Sequence, residues 1–146
     1  MKITLHLHDY DYFPYEKRFA EREVKDLFDA EPVAENGVLR ADIRPEFLER
    51  ANRLTYVAKV CSESGDTIIP NQVKWEATDN RDLFKDGDPI LSKQSTRYSL
   101  HGIHEYKGKF NPQMIRTIGN MLGFDAGDTV LDPFCGSGTA ILEAAH

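Results

Sequence analysis

A glycine-rich run near the end of the chain has the residue types and spacing of a ligand-binding loop. The run reads Asp-Pro-Phe-Cys-Gly-Ser-Gly-Thr over residues 132–139. At Gly136 and Gly138 a ligand could approach the backbone closely, because a β-carbon there would clash with it. The run follows a short apolar stretch, Thr129–Leu131, and precedes an apolar helical pattern from Ala140. A strand, a glycine turn and a helix in this order are typical of an α/β nucleotide-binding unit.

Three kinds of ligand fit such a turn, and the surrounding residues favour one. A P-loop needs a lysine after its last glycine, and here Thr139 follows Gly138. A dinucleotide fingerprint needs a third glycine where this chain has Ile141. The remaining use is a cofactor without phosphates, bound at the carboxyl end of a strand beside an acidic residue, Asp132.

The stretch before this loop is basic and aromatic in a chain that is acidic overall. The net charge is −6, which argues against a protein that coats nucleic acid over its whole surface. Between Arg97 and Arg116, however, four basic residues face the single acidic Glu105. Any contact with a phosphate should therefore lie in this stretch.

Both stretches resemble motifs of known enzymes. Residues 132–139 resemble motif I of the amino-methyltransferases that act on nucleic-acid bases. The stretch His101–Gln113 resembles their motif X, a His-x-Tyr-x-x-Lys-Phe-x-Pro run that begins at His104 and ends at Pro112. The resemblance implies a class I methyltransferase that uses S-adenosylmethionine. It implies these cofactor-binding residues: His104, Tyr106, Lys109, Phe110, Asp132, Phe134, Gly136 and Gly138.

The motif that performs the chemistry in that family is not found in its place. It is an Asp/Asn/Ser-Pro-Pro-Tyr tetrapeptide that follows motif I when motif X comes first. Asp11–Tyr15 is similar but lacks the first proline and precedes motif X. We therefore assign no catalytic residue. We expect an N-terminal fragment, inactive by itself, with the rest of the methyltransferase domain on a separate chain or in sequence not present.

The predicted fold class is α/β, with a small α+β domain followed by the opening portion of a Rossmann-like class I fold. Residues 1–60 would form the first domain and residues 61–95 a linker with a short strand around Val73–Trp75. Residues 96–146 would start the cofactor-binding domain. In the first domain, apolar periodicity and turn signals predict three strands and two helices: strands at Ile3–Leu7, Val38–Ile43 and Tyr56–Val60, and helices at Glu16–Asp29 and Pro45–Arg53.

In the last of these segments, Asn111 and Pro112 predict the start of a helix that ends at Gly123. Its apolar stripe would pack on the sheet, and Thr129–Leu131 would be a strand buried on both faces. The stripe consists of Met114, Ile115, Ile118, Met121 and Leu122.

Within the amino-methyltransferases two substrates stay open. The motif X run favours DNA, with adenine or cytosine as the target, and DNA is the substrate that we expect. The alternative is a tRNA guanosine 2-amino enzyme. It is favoured by the Glu-Ala-Ala ending at residues 143–145 and by residues 1–60, whose order of strands and helices resembles the N-terminal domain of those enzymes. An alternative outside the enzymes is a non-catalytic binding module or a gene remnant. No apolar run of membrane-spanning length and no signal peptide is found, so we expect a cytoplasmic protein. His6 and His8 could ligate a metal, but no third ligand follows at zinc spacing, and we assign no metal site.

Overall fold

A five-stranded antiparallel sheet forms the base of the fold. The computed structural model describes residues 1–79, 84–85, 88–91, 94–103 and 108–146. The strands are β1 (Lys2–Leu7), β2 (Val33–Glu35), β3 (Val38–Asp42), β4 (Val57–Ser62) and β5 (Thr67–Ile68), in the spatial order β2-β3-β1-β4-β5. A separate hairpin consists of β6 (Phe84–Lys85) and β7 (Asp88–Leu91).

In the described part of the chain, four α-helices and two 3-10 helices accompany the strands. The α-helices are α1 (Pro14–Phe28), α2 (Asn71–Asp79), α3 (Pro112–Met121) and α4 (Thr139–Ala145). The 3-10 helices span Pro45–Arg53 and Ser99–Gly102. Among the described residues, no helix combines the length and the apolar character needed to cross a membrane.

The centre of the sheet follows from the alternation in β1. Ile3 and Leu5 are buried on one face, and Leu5 lies opposite Leu39 of β3 and Val60 of β4. Because side chains alternate between the faces of a strand, this register places every apolar residue of β1 against the same core. The strand predicted at Ile3–Leu7 is confirmed, as are those at Val38 and Val57.

Helix α1 covers the buried face of the sheet. Its apolar residues Ala20, Val24, Leu27 and Phe28 all join the core. Glu16 closes the start of the helix by accepting a 2.8 Å hydrogen bond from the backbone N–H of Phe13. The predicted helix is therefore confirmed, and it begins two residues earlier than expected because Pro14 occupies a first-turn position that tolerates proline.

Two of the predicted elements are wrong. Val73–Trp75 belongs to helix α2 and not to a strand. Residues 129–131 form no strand, and the Leu131 side chain is 85% exposed. A parallel strand needs a hydrogen-bonded neighbour, and the five strands of the sheet pair only with one another and only antiparallel. The coarse class, mixed α and β, is confirmed, while a parallel Rossmann-like sheet and the division at residues 60 and 95 stay predictions.

Helix α3 is confirmed at Pro112–Met121, but it buries the face that the sequence pattern does not favour. Gln113, Thr117 and Asn120 are buried, while Ile115 and Ile118 are half-buried and Leu122 is exposed. On this polar side Asn120 donates to Glu23 of α1, and Gln113 donates to Glu76 of α2. Among the described residues the principal neighbours of α3 are α1 and α4 and not the sheet, so the packing of the stripe on a sheet stays a prediction.

The start of α3 offers a direct test of the local structure. The Asn111 side chain accepts a 2.9 Å hydrogen bond from the backbone N–H of Gln113. We expect Asn111→Ala to lower the free energy of unfolding by about 1 kcal/mol, because the backbone N–H of Gln113 loses its acceptor. Asn111→Asp keeps the acceptor and should stay close to the native protein. Urea denaturation of both variants measures the free energy of unfolding. An equal decrease in Asn111→Ala and Asn111→Asp would show that the cap contributes nothing.

Candidate functional site

The glycine loop forms a tight turn that leads into α4. Gly136 and Gly138 both have left-handed backbone conformations, with φ of 50° and 75°. Asp132 stabilises the approach to the turn by accepting a 3.1 Å hydrogen bond from the backbone N–H of Phe134. The carbonyl of Gly138 then accepts from the N–H of Leu142, at 2.9 Å, as the first intrahelical bond of α4. The loop residues predicted from the sequence are thus brought into one compact turn.

The glycine at 138 is required by conformation and not by crowding within the chain. A β-carbon built on Gly138 meets no atom within 4 Å. The clash expected from the sequence is one with a ligand, and it stays a prediction. Phe134 on the same loop is 91% exposed. The outer side of the turn is open to solvent, where a ligand could reach the backbone.

The motif X run is only partly described. His104 and Tyr106 lie outside the described residues. The Lys109 ammonium donates a 2.6 Å hydrogen bond to the backbone carbonyl of His101, and Phe110 is exposed. Partial burial, followed by the nearby charge of Arg97, lowers the pKa of Lys109 below its ordinary value.

A buried polar cluster joins this segment to α4. Glu143 lies at its centre, with 1% of its side chain exposed. One carboxylate oxygen, Oε1, lies 2.7 Å from the hydroxyl of Tyr98 and 2.6 Å from Nε2 of His101. The other, Oε2, lies 2.7 Å from Nε of Arg116. We call Tyr98, His101, Arg116 and Glu143 the Glu143 cluster.

The charges of this cluster are balanced. Burial by itself raises the pKa of Glu143, but the hydrogen bond from His101, the charge of Arg116 and the Tyr98 hydroxyl together hold it below its ordinary value. Burial, followed by the Glu143 charge, raises the pKa of Tyr98, which keeps its proton. Because an ionised carboxylate only accepts hydrogen bonds, the imidazole hydrogen of His101 lies on Nε2.

Two aromatic rings cover the cluster. The guanidinium of Arg116 lies 4.3 Å from the ring centroid of Trp75. The ring of His146 stacks on the Trp75 ring, with 4.7 Å between the two centroids. Trp75 is half-buried and packs against a cation of the same chain.

A cleft of about 480 Å³ opens between α3, α4 and residues 124–130. Its apolar lining includes Ile115, Ile118 and Val130, and Arg53 and Asp125 are among its charged lining residues. None of the six described residues predicted to bind the cofactor lines it. The cleft and the glycine loop are therefore two separate features of the α4 region.

Other residues considered from the sequence carry no site. His8 is buried, and burial lowers its pKa to about 3, so it is neutral and not a surface ligand. Across the described ranges, no group of three or more His, Cys, Asp or Glu side chains is placed to hold a metal ion. Cys135 is exposed beside the loop and Cys61 is half-buried, both as free thiols.

His101 and Glu143 are the residues that sequence reasoning missed. His101 stands at the start of the motif X stretch without an assigned role, and Glu143 was considered only as part of the Glu-Ala-Ala ending. A signal was present, because Glu143 is the single charged residue in the helical sequence Thr-Ala-Ile-Leu-Glu-Ala-Ala. A lone carboxylate in a short apolar helix favours a buried, paired role, but its hydrogen-bond donors Tyr98 and His101 lie more than forty residues away in the chain.

The comparisons with known proteins bear out the resemblance. Residues 103–146 match a protein family described as RMKL-like, methyltransferase domain. The type II methyltransferase M.MjaII of Methanocaldococcus jannaschii is 43% identical over 54 residues, which are 37% of this chain and 10% of that enzyme. The type II methyltransferase M.BsoBI of Geobacillus stearothermophilus is 41% identical over 56 residues, 38% of this chain and 11% of that enzyme.

A third relative modifies RNA. The tRNA (guanine(10)-N2)-dimethyltransferase of Methanothermobacter thermautotrophicus is 46% identical over 39 residues, 27% of this chain and 12% of that enzyme. The chain thus matches about a tenth of the length of each of these relatives. The predicted likeness to nucleic-acid amino-methyltransferases is confirmed for this segment.

Proposed function

We propose that this chain is the cofactor-binding part of an S-adenosylmethionine-dependent methyltransferase that modifies an exocyclic amino group of a nucleic-acid base. The observation that carries the proposal is the turn at Gly136 and Gly138, which is open to solvent and lies inside the segment that matches a methyltransferase family. The chain holds cofactor-binding motifs, and no catalytic residue is assigned to it.

The residues of the loop fit the proposed cofactor. The open side of Gly138 leaves room for a ligand against the backbone, and the exposed ring of Phe134 offers an apolar surface beside it. Lys109 uses one of its three N–H donors on the His101 carbonyl, which leaves two for the carboxylate of an amino-acid moiety. When bound, S-adenosylmethionine supplies the methyl group that is transferred to the amine.

We favour DNA as the substrate, with adenine or cytosine as the target base. The motif X run supports this choice, and the two type II methyltransferases match over 54 and 56 residues against 39 for the tRNA enzyme. The alternative is a tRNA guanosine 2-amino methyltransferase, supported by the 46% identity with that enzyme and by the Glu-Ala-Ala ending.

The exposed apolar side of α3 and α4 supports a further part of the proposal. Ile115, Ile118 and Ala140 line an open cleft, and Leu131 and Ile141 are exposed nearby in sequence. We propose that further strands of a methyltransferase sheet, on the same or a separate chain, pack on this side. Burial of this apolar surface would be favourable by about 25 cal/mol for each square ångström covered.

Calorimetric titration of the chain with S-adenosylmethionine and S-adenosylhomocysteine tests the cofactor assignment directly. Transfer of a tritiated methyl group by the enzyme that contains this sequence, to DNA and to tRNA in parallel, then distinguishes the two substrates. Absence of binding of both compounds at millimolar concentration would contradict the cofactor assignment. Transfer to tRNA alone would replace DNA with the alternative.

One substitution isolates the glycine loop. We expect Gly138→Ala to weaken cofactor binding at least about fivefold, since an alanine in the left-handed region costs roughly 1 kcal/mol and relaxes by moving the backbone that meets the ligand. Gly123→Ala is the matched control, because Gly123 has φ of 73° against 75° for Gly138 and equally open surroundings, outside the loop. Equal affinities of both variants for S-adenosylhomocysteine would remove Gly138 from the site.

A further inference from the structure

We propose that Glu143 is a positioning residue that holds the Lys109 segment, residues 98–103 and 108–110, at a fixed place relative to the glycine loop. The inference rests on the proposed function, because it assigns Lys109 and the loop to one cofactor site. It concerns residues that neither the motifs nor the relatives assign. The four members of the Glu143 cluster and Lys109 carry it.

Glu143 is placed to connect two segments. It lies on α4, one turn after Thr139, the residue that follows the glycine loop. A side chain at this position moves with the loop because α4 starts at the loop's last glycine, whose carbonyl accepts the first helical bond from Leu142. Its carboxylate reaches away from α4 to the 3-10 helix Ser99–Gly102 and to α3.

His101 contacts both Glu143 and Lys109. Its imidazole Nε2 donates to Glu143 Oε1 at 2.6 Å, while its backbone carbonyl accepts from Lys109 Nζ at 2.6 Å. The two contacts belong to one buried residue, so a shift of the imidazole also moves the carbonyl. Tyr98, on the preceding turn, donates to the same carboxylate oxygen at 2.7 Å and limits rotation of the segment.

The composition of the cluster is better suited to positioning than to stability. Arg116 and Glu143 have side chains 9% and 1% exposed. Removing two charges from water costs several kcal/mol for each ion, and a well-packed apolar pair of the same volume is often as stable or more stable. The donors that fix the direction of the carboxylate are the Tyr98 hydroxyl and Nε2 of His101, both on Oε1. Arg116 lies beside Oε2 as an ion-pair partner without a hydrogen bond, and its charge favours the orientation in which Oε1 faces His101 and Tyr98.

Glu143→Gln tests this geometry with little change in volume. A glutamine side chain has one oxygen and one NH₂ group. If its oxygen faces His101 and Tyr98, the NH₂ group lies against the Arg116 guanidinium, which also loses its ion-pair partner. If its NH₂ group faces His101 and Tyr98, it meets their donors. We therefore expect the 3-10 helix Ser99–Gly102 to detach from α4 while the five-stranded sheet stays intact.

The first measurement needs no ligand. We expect amide hydrogen exchange in Glu143→Gln to rise at residues 98–103 and 108–110 and to stay unchanged in β1 and β4. The fluorescence of Trp75, the single tryptophan of the chain, should change with it, because Arg116 lies over its ring. Glu21→Gln, an exposed carboxylate on α1, is the control and should change neither signal. Unchanged or uniformly faster exchange in Glu143→Gln overturns the inference.

The second measurement uses S-adenosylhomocysteine and a double-mutant cycle. We expect Glu143→Gln and Lys109→Met each to weaken binding about tenfold, the effect of one misplaced charged hydrogen bond. If Glu143 acts through Lys109, the double variant binds no more weakly than Lys109→Met alone. Additive losses would mean that Glu143 acts only on general stability, and would overturn the inference.

The two measurements separate this inference from the proposed function. If the native chain does not bind S-adenosylhomocysteine, the cofactor assignment fails, and the exchange experiment alone decides whether Glu143 holds the Lys109 segment. If the native chain binds and exchange is selective but the cycle is additive, the cofactor assignment stands and the positioning role fails.

Discussion

Glu23→Ala is expected to lower the free energy of unfolding by about 3–5 kcal/mol, the range for removing one partner from a buried charged network. Glu23 is fully buried on α1, and its carboxylate accepts three hydrogen bonds. Thr55 contributes its backbone N–H at 2.9 Å and its hydroxyl at 2.7 Å. The Asn120 side chain donates the third at 2.6 Å. Alanine removes the acceptor of all three bonds, leaves both Thr55 donors buried without it, and also leaves a cavity, while Asn120 keeps its bond to the Arg53 carbonyl.

Chemical denaturation at neutral pH measures this loss. Glu21→Ala is the matched control, because Glu21 lies two residues earlier on the same helix and is exposed, so its loss should stay within about 0.5 kcal/mol. Glu23→Gln keeps the volume and should give an intermediate loss. A Glu23→Ala variant as stable as Glu21→Ala would show that the buried network does not hold α3 against α1.

The same network has a structural consequence. Asn120 also donates to the backbone carbonyl of Arg53 at 2.9 Å, and it accepts from the Arg53 guanidinium at 3.2 Å. Glu23, Arg53 and Thr55 belong to the part of the chain that contains the sheet, and Asn120 belongs to the helix before the glycine loop. The polar face of α3 thus attaches the candidate cofactor segment to the antiparallel sheet.

Stability should also depend on the protonation of Glu76. This carboxyl is buried on α2, and burial raises its pKa from 4.5 to about 7, although Gln72, Ser95 and Gln113 donate to it. A carboxyl with a raised pKa in the folded state contributes stability that is complete below 4.5 and is lost as the pH rises through 7. The loss is about 3 kcal/mol for a shift of this size.

The native pH profile alone does not isolate this effect. Burial lowers the pKa of His8 to about 3, so His8 contributes in the opposite sense: stability falls as the pH drops from 6.5 toward 3. The informative quantity is the difference between the native protein and Glu76→Gln. We expect Glu76→Gln to gain about 3 kcal/mol relative to the native protein between pH 4.5 and pH 8. A difference independent of pH would contradict the raised pKa of Glu76.

Local signals in the sequence were sufficient where the structure depends on neighbours in the chain. The alternation of Ile3 and Leu5, the proline at the start of α1 and the cap at Asn111 each determine an element through residues within one or two turns. The glycine loop was recognisable for the same reason, because its conformation at Gly136 and Gly138 is a local backbone property. Its likeness to methyltransferases was likewise contained in consecutive residues.

Periodicity failed where tertiary contacts compete with it. The apolar stripe of α3 predicted which face would be buried, but the buried face carries Gln113, Thr117 and Asn120. Gln113 donates to Glu76 of α2 and Asn120 donates to Glu23 of α1, so contacts with other elements compete with the apolar pattern. Val73–Trp75 was predicted as a strand in a polar stretch, but it lies in helix α2, where Trp75 packs against Arg116 and His146. The apolar run Thr129–Leu131 lacks a neighbouring strand among the described residues, and its composition alone did not make it a strand.

Short-range periodicity, capping and a contiguous motif were enough to predict the strands at Ile3–Leu7, Val38–Ile43 and Tyr56–Val60, the helices α1 and α3, and the position of the glycine loop. The antiparallel pairing of the strands, the burial of particular polar residues and the groups that they contact depend on the tertiary structure. Glu23 meets Asn120 across 97 positions of the chain, and Glu143 meets Tyr98 and His101 across 45 and 42. A hydrogen bond between distant residues leaves no local pattern, because it depends on how the folded elements bring the two groups together.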